Sequence, residues 1–249
     1  MSAIVEFREV SYRIAGKQIL DRLSLTVDSG ETLVLLGRSG SGKTTALRMV
    51  NGLAFPSSGE VLVEGKSTTA WDPVRLKRRT GYVIQEVGLF PHFTVARNVG
   101  VVPRLEGWDA RKIEKRVAEL LEQIGLPAAH FAARYPRELS GGQRQRVGVA
   151  RALAADPHLL LFDEPFGALD PVTRLDLQRQ FLELRRTVRR TSIFVTHDVR
   201  EALMLATRIG LLQAGKLEWI GPPDEFLKAR AEEARAFLAC LDWKVDDAC

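Results

Sequence analysis

The sequence predicts an α/β fold with a mostly parallel core sheet. Short apolar and β-branched runs alternate with helical stretches along much of the chain, and the continuous apolar run "LVLL" at 33–36 is typical of a buried central strand. The composition, 45% hydrophobic and 27% charged over 249 residues, is that of an ordinary globular protein. Such a chain is long enough for one large core or for a core with a subdomain.

The N-terminal part departs from this alternation. The runs "IVEFREV" (4–10) and "QILDRLSLTV" (18–27) lie close together with "AGK" (15–17) between them. They predict antiparallel strands that lead into the buried strand "ETLVLLG" (31–37). We therefore expect an N-terminal antiparallel β subdomain. The elements predicted next are a helix over 43–53 and strands over 59–65 and 80–85.

From Phe93 to about Glu138 the pattern becomes helical. In the segment 109–126, apolar residues recur at helical spacing, namely at Ile113, Val117, Leu120, Leu121 and Ile124. We expect an α-helical subdomain over about 93–155, inserted in the α/β core. The alternation then resumes with strands over 158–164 and 192–197, helices over 171–188 and from Asp198, and a strand pair over 208–221 that turns at Ala214-Gly215.

Charge and composition exclude several classes of protein. The net charge is +5, but the basic residues are interleaved with acids, and runs such as "RLKRR" (75–79) are interpreted as solvated faces, so no nucleic-acid partner is expected. The start "MSAIVEFREV" lacks the apolar stretch of a signal peptide, which predicts a cytoplasmic location. Cys240 and Cys249 cannot form a disulfide framework.

The strongest motif is "GRSGSGKT" (37–44), which fits the P-loop pattern and lies between a predicted strand and a predicted helix. Its backbone N–H groups would surround the β-phosphate of a nucleotide, Lys43 would neutralise the β and γ oxygens, and the Thr44 hydroxyl would bind Mg²⁺. The alternative is a purely structural glycine-rich turn. The predicted nucleotide-binding residues of this loop are Gly37, Arg38, Ser39, Gly40, Ser41, Gly42, Lys43, Thr44 and Thr45.

A second motif, "LLLFDE" (159–164), is an apolar strand that ends in two acids. Asp163 would hold Mg²⁺ through water, and Glu164 would polarise an attacking water. Taken by itself, the pair could equally cap the following helix. Its position after a P-loop on a parallel sheet favours the catalytic interpretation.

With these motifs, the chain resembles the ATPase subunits of ABC transporters over about residues 4–230. The resemblance implies an ABC ATPase domain at 1–230 and a short C-terminal tail at 231–249 without a regulatory domain. It also implies that Gln85 contacts Mg²⁺ and the lytic water, that His197 reads the γ-phosphate and that Asp170 makes a contact across a dimer. Taken by itself, His197 could be only a polar group beside the helix-capping Asp198.

The segment "LSGGQ" (139–143) matches the family signature. In the family two subunits pair head to tail, so the resemblance implies that the signature of one subunit closes over the ATP bound to the P-loop of the other, at a helix N-terminus that favours anions. The residues assigned to this contact are Ser140, Gly141, Gly142 and Gln143. Arg144 and Arg146 are as consistent with packing and surface charge. For the adenine, the aligned position is Ile14, and Tyr12 is the alternative.

Within the family, the stretches "GYVIQEVGLFPHFTVARNV" (81–99) and "LLLFDEPFGALDPVTR" (159–174) most resemble importers of quaternary amines and osmoprotectants such as glycine betaine and choline. The alternatives are an importer of amino acids or other small solutes, a soluble ABC ATPase outside transport, and a P-loop kinase.

The implied partners are transmembrane permease subunits, a second ATPase subunit and, indirectly, a solute-binding protein. The chain would then lie at the cytoplasmic face of the membrane. The segment "LFPHFTV" (89–95) is the candidate permease contact, or else a buried linker.

Overall fold

The computed structural model of the chain describes residues 3–85, 88–167, 169–188 and 190–242. Ala168 of "GALD", Cys249 and the end of the predicted tail (243–249) lie outside the described residues. The chain divides into two compact units. The first unit is Met1–Trp71 with Thr191–Cys249, and the second is Asp72–Arg190.

The elements are numbered in chain order. The strands are β1 (Ala3–Ile14), β2 (Lys17–Asp28), β3 (Thr32–Leu36), β4 (Ser58–Val63), β5 (Lys66–Ser67), β6 (Thr80–Val83), β7 (Leu159–Asp163), β8 (Thr191–Thr196), β9 (Arg208–Gln213) and β10 (Lys216–Gly221). The helices are α1 (Lys43–Val50), α2 (Pro73–Arg79), α3 (Val95–Val99), α4 (Val101–Leu105), α5 (Ala110–Gln123), α6 (Ala128–Phe131), α7 (Gly141–Leu153), α8 (Pro171–Val188), α9 (Val199–Leu205), α10 (Pro223–Phe226) and α11 (Glu232–Asp242), with a 3-10 turn at Pro136–Glu138.

The first unit contains the predicted antiparallel sheet, with strand order β2-β1-β4-β5. β1 and β2 form a hairpin whose two turn residues, Ala15 and Gly16, have φ of 47° and 79°. Positive φ at both central residues matches the twist of a two-residue hairpin turn. The predicted N-terminal β subdomain is confirmed.

The first unit also contains the buried strand β3, which pairs in parallel with β8 on one side and β9 on the other. β10 pairs antiparallel with β9, and the two strands turn at Ala214 and Gly215 as predicted. This turn is hydrogen-bonded on both sides, because Gly215 N donates to Ser41 O at 3.1 Å and Asp21 N donates to Gly215 O at 2.9 Å. The turn thereby joins the P-loop to the antiparallel sheet.

The second unit combines a parallel pair, β6 with β7, with helices α2 to α8. α5 begins after Asp109, whose carboxylate accepts hydrogen bonds from the backbone N–H groups of Arg111 and Lys112. The apolar residues predicted at helical spacing over 109–126 are all buried, which confirms the amphipathic pattern. Helices α3 to α7 lie within the predicted helical region 93–155.

Several boundaries differ from the prediction. α1 ends at Val50 instead of residue 53, and β6 ends at Val83 instead of residue 85. α2 was missed, because in its run of basic residues only Leu76 is buried. Its start signals were nevertheless present in the sequence, since Asp72 caps the helix and Pro73 occupies its first position.

Candidate nucleotide-binding site

The P-loop follows the buried strand β3 and leads into α1. Gly42, the N-cap of α1, has a φ of 100°, and a Cβ at this position would lie 2.6 Å from Leu20 Cδ2. Both the backbone angle and the lack of space therefore require glycine. The N-cap Gly42 makes no side-chain capping hydrogen bond to α1, and the N-terminus of a helix favours anions.

Lys43 lies at the centre of this loop and is buried. Its Nζ donates to Gly37 O at 2.7 Å, to Arg38 O at 2.8 Å and more weakly to Ser41 Oγ at 3.4 Å. These acceptors hold the ammonium inside the loop that is predicted to surround the phosphates. The predicted position of Lys43 is thus consistent with charge neutralisation of a bound polyphosphate.

His197 follows β8 at the same end of the sheet as the P-loop, since Thr196 pairs with Leu36 in the parallel register. The imidazole is exposed, whereas the backbone around it is fixed. Thr196 Oγ1 accepts from Asp198 N at 3.0 Å and donates to the buried Glu201 at 2.6 Å. Sequence reasoning missed this support by Thr196 and Glu201, but the capping role of Asp198 is confirmed.

In the second unit, the register of β6 and β7 aligns two predicted catalytic residues. Val83 pairs with Phe162, so Gln85 and Glu164 each lie two residues beyond the same rung of the parallel ladder. Gln85 is exposed and Glu164 is half-buried. Both residues therefore lie beyond the carboxyl ends of β6 and β7, the end of the strands at which ligands of α/β proteins bind.

Asp163, the last residue of β7, is buried and accepts a hydrogen bond from Tyr82 Oη at 3.3 Å. Sequence reasoning missed Tyr82, because this contact depends on the cross-strand register. Glu164 has a φ of 45°, in the left-handed region that non-glycine residues rarely adopt. Such backbone strain concentrates at functional sites, and here it redirects the chain between the buried Asp163 and the half-buried Glu164.

The signature residues begin α7. Ser140 and Gln143 form a reciprocal capping box: Gln143 N donates to Ser140 Oγ at 3.2 Å, and Ser140 N donates to Gln143 Oε1 at 2.9 Å. The hydroxyl of Ser140 uses one acceptor position in this box, and a hydroxyl also carries a donor. Ser140 and Gly141 are exposed, so the start of α7 remains accessible.

The first turn of α7 contacts the first turn of α8. A Cβ at Gly142 would lie 2.3 Å from Thr173 Cγ2. Thr173 in turn belongs to the cap of α8, because its N–H donates to the Asp170 carboxylate at 3.0 Å and its side-chain hydrogen bond lowers the pKa of Asp170. The structure thus brings together two predicted segments, the signature and the Asp170 loop, that are separate in sequence.

We expect Gly142→Ala to lower the free energy of unfolding, because the added methyl group overlaps with Thr173. Overpacking of this kind costs about 1–3 kcal/mol, which exceeds the helix-propensity gain of at most about 1 kcal/mol. Urea unfolding measures the difference. Gly141→Ala is the matched control, since its Cβ would meet only atoms 4.0 Å away. Thr173→Ser should restore stability to Gly142→Ala, and equal stability of the two alanine variants would refute the overlap.

Two arginines of the signature helix have structural roles. Arg144 Nη1 donates to Leu139 O at 2.9 Å, and Arg146 Nη1 donates to Ile124 O at 3.4 Å. These contacts favour packing for both residues. For the adenine, Tyr12 is half-buried and pairs with Leu20, whose side chain is close to Gly42, whereas Ile14 is 53% exposed near the hairpin turn.

The arrangement defines a P-loop nucleotide-binding protein, and comparison with known proteins specifies the family. The family described as "ABC transporter" matches residues 20–167. A glycine betaine/carnitine/choline transport ATP-binding protein of Bacillus subtilis is 49% identical over 88% of the chain and 57% of its own length. A glycine betaine uptake system ATP-binding protein of Escherichia coli is 45% identical over 92% of the chain and 74% of its own length.

Among solved structures, a dimeric post-hydrolysis state of an ATP-binding cassette bound to ADP and Pi superimposes with a TM-score of 0.78 at 32% identity, covering 88% of the chain and 98% of that structure. The chain belongs to the ABC transporter family and has the fold of its ATP-binding cassette. The chain spans a little over half the length of the Bacillus subtilis relative.

Proposed function

We propose that the chain is the ATP-hydrolysing subunit that powers import of a quaternary amine or osmoprotectant, such as glycine betaine or choline, through a membrane permease. The observation that carries this proposal is the P-loop, where the buried Lys43 is held by loop carbonyls at the N-terminus of α1. The 49% identity to a glycine betaine/carnitine/choline transport ATP-binding protein supports the solute class.

In the proposed mechanism, the P-loop and Lys43 bind the phosphates of ATP, and Glu164 accepts the proton of the attacking water. Gln85, two residues beyond the same β6–β7 rung as Glu164, orients that water, and His197 binds the γ-phosphate. The signature residues Ser140 to Gln143 of a second copy would complete the site, and Asp170 would contact that copy. Closing the dimer excludes water and links hydrolysis to subunit motion.

The side chains assigned to Mg²⁺ fit that ion. Thr44, Gln85 and Asp163 offer oxygen donors, the ligand type that Mg²⁺ prefers. Among the described residues no group of three or more His, Cys, Asp or Glu forms a metal site, and Mg²⁺ at nucleotides is typically held by few carboxylates together with phosphates. The bound ion would neutralise charge that develops on the transferred phosphoryl group.

The segment 89–95 is the proposed contact with the permease. Phe90 is 42% exposed and packs on Phe93 at 5.0 Å between ring centroids, while the Arg97 guanidinium lies 3.8 Å from the Phe93 ring centre. The buried Asn98 fixes this loop through four hydrogen bonds. Its Oδ1 accepts from Phe90 N, and its Nδ2 donates to Phe90 O, Phe93 O and Thr94 O. A rigid loop that exposes aromatic rings is a suitable docking surface.

A groove beside this loop supports the same partner. It has a volume of about 510 Å³ and is lined mainly by small and apolar side chains of α3, α5 and α6, among them Ala96, Ile113, Val117 and Ala129. An amphipathic helix of the permease would fit such a groove with its apolar face. No helix in the described ranges has the length and apolarity needed to cross a bilayer.

We expect Lys43→Ala to abolish ATP-driven uptake of radiolabelled glycine betaine and choline in proteoliposomes that contain the complete transport complex. The variant lacks the cation that neutralises the phosphates. Lys228→Ala, which removes an exposed lysine of the first unit, is the matched control and should retain uptake. Uptake that is indifferent to Lys43→Ala would overturn the transporter proposal. ATP-dependent uptake of an amino acid but of neither amine would overturn the proposed solute class.

A further inference from the structure

The last described helix, α11, carries a buried carboxylate to which the proposed hydrolysis of ATP assigns no role. The side chain of Glu233 is only 6% exposed, whereas the neighbouring Glu232 faces solvent. A buried carboxylate is costly unless it is paired and hydrogen-bonded. The position of Glu233 therefore points to its partners.

Glu233 joins three segments that are far apart in sequence. Its Oε1 accepts from Arg38 Nε at 2.6 Å, and its Oε2 accepts from Gln213 Nε2 at 3.3 Å. Arg38 belongs to the P-loop, and Gln213 ends β9. The hydrogen bond to the carboxylate raises the pKa of the Arg38 guanidinium, as expected of a charge-assisted pair.

Arg38 also connects Glu233 to Lys43, the lysine of the P-loop. The backbone carbonyl of Arg38 accepts from Lys43 Nζ at 2.8 Å, so Arg38 is held by Glu233 through its side chain and by Lys43 through its backbone. The preceding Gly37 lies close against β9, because a Cβ there would lie 2.3 Å from Leu212 O, so a residue with a side chain would not fit. One end of the P-loop is thus fixed between β9 and α11.

We propose that Glu233 is a positioning residue for nucleotide binding, which holds Arg38 and thereby the carbonyls that align Lys43. The inference rests on the proposed function, because it assigns to α11 a role in ATP affinity. α11 also packs against α9, the helix that follows His197. α11 therefore supports both segments of the first unit that are predicted to contact the phosphates.

The test measures ATP affinity of the full chain by calorimetry. Glu233→Ala and Arg38→Ala should each weaken ATP binding by about 2- to 160-fold, the range of coupling between contacting residues. The double variant should lose no more ATP affinity than the single variant that binds ATP more weakly, because both substitutions break the same contact between Glu233 and Arg38. Glu233→Gln, which keeps an acceptor oxygen, should bind with intermediate affinity. Glu232→Ala, on the exposed side of α11, should bind like the parent chain.

A measurement without nucleotide separates this inference from the proposed function. Amide hydrogen exchange over 37–45 should be faster in Glu233→Ala than in the parent chain, while exchange over 141–153 in the second unit stays unchanged. Unchanged exchange over 37–45, or additive losses of affinity in the double variant, would overturn the positioning role. If the parent chain bound no ATP but exchange over 37–45 were still faster in Glu233→Ala, the proposed function would fail and the structural link between α11 and the P-loop would stand.

Discussion

We expect the Glu164→Gln variant to bind ATP normally but to hydrolyse it about 10²- to 10⁴-fold more slowly, the range for loss of a general base. The amide is isosteric with the carboxylate, so the half-buried position after β7 should be preserved. What disappears is the ability to accept a proton from the attacking water. Because hydrolysis releases the proposed dimer, the variant should accumulate as an ATP-bound dimer in gel filtration.

The control for this experiment is Glu119→Gln. Glu119 is an exposed glutamate of α5 in the same unit, and its loss should leave the hydrolysis rate unchanged. Phosphate release under saturating ATP gives the rates. Hydrolysis by Glu164→Gln at the parental rate would remove Glu164 from the catalytic role, whatever its backbone conformation.

The second large effect concerns the signature. We expect Ser140→Arg, introduced into the Glu164→Gln background, to abolish the ATP-dependent dimer while affinity for ATP stays within about twofold, because ATP would still bind to the P-loop of the same chain. Arginine places bulk at the exposed start of α7, where the γ-phosphate of the partner's ATP would bind. It also removes the capping hydroxyl, at a cost of about 0.5–2 kcal/mol.

Two controls separate these consequences. Gln123→Arg adds the same side chain at an exposed end of α5 and should still dimerise. Ser140→Ala removes the capping hydroxyl without adding bulk, so it reports the stability contribution separately. ATP-driven dimers of the Ser140→Arg variant at parental yield would contradict the contact in trans.

Sequence patterns predicted the fold wherever burial dictates a clear period. The continuous apolar run at 33–36, the short turn between the first two strands and the spacing along α5 each predict a single type of structure. The missed elements lacked such a signal. α2 buries only Leu76, and β5 has two residues, so neither shows a hydrophobic period, although Asp72 and Pro73 mark the start of α2.

The site shows a similar division. The P-loop and the acidic end of β7 are each a continuous stretch of sequence, so both could be recognised from the sequence alone. Two supporting contacts join segments that are distant in sequence: Tyr82 to Asp163, and Thr173 to the signature helix. A third, Glu201 to Thr196 beside His197, connects the end of β8 to α9. They depend on strand register and helix packing, which one sequence does not reveal. The left-handed backbone of Glu164 likewise results from its surroundings, since glutamate has no preference for it.

The pairing of β3 has a consequence for biosynthesis. Both of its neighbours, β8 and β9, are encoded after residue 190, and the turn that bonds Ser41 lies at Gly215. The second unit, by contrast, is one continuous stretch that the ribosome completes earlier. At 5–20 residues per second, translation of 191–242 takes roughly 3–10 s more. During that interval the nascent chain carries the P-loop sequence without the two strands that flank β3, so the sheet around the P-loop cannot be completed before these later strands have been made.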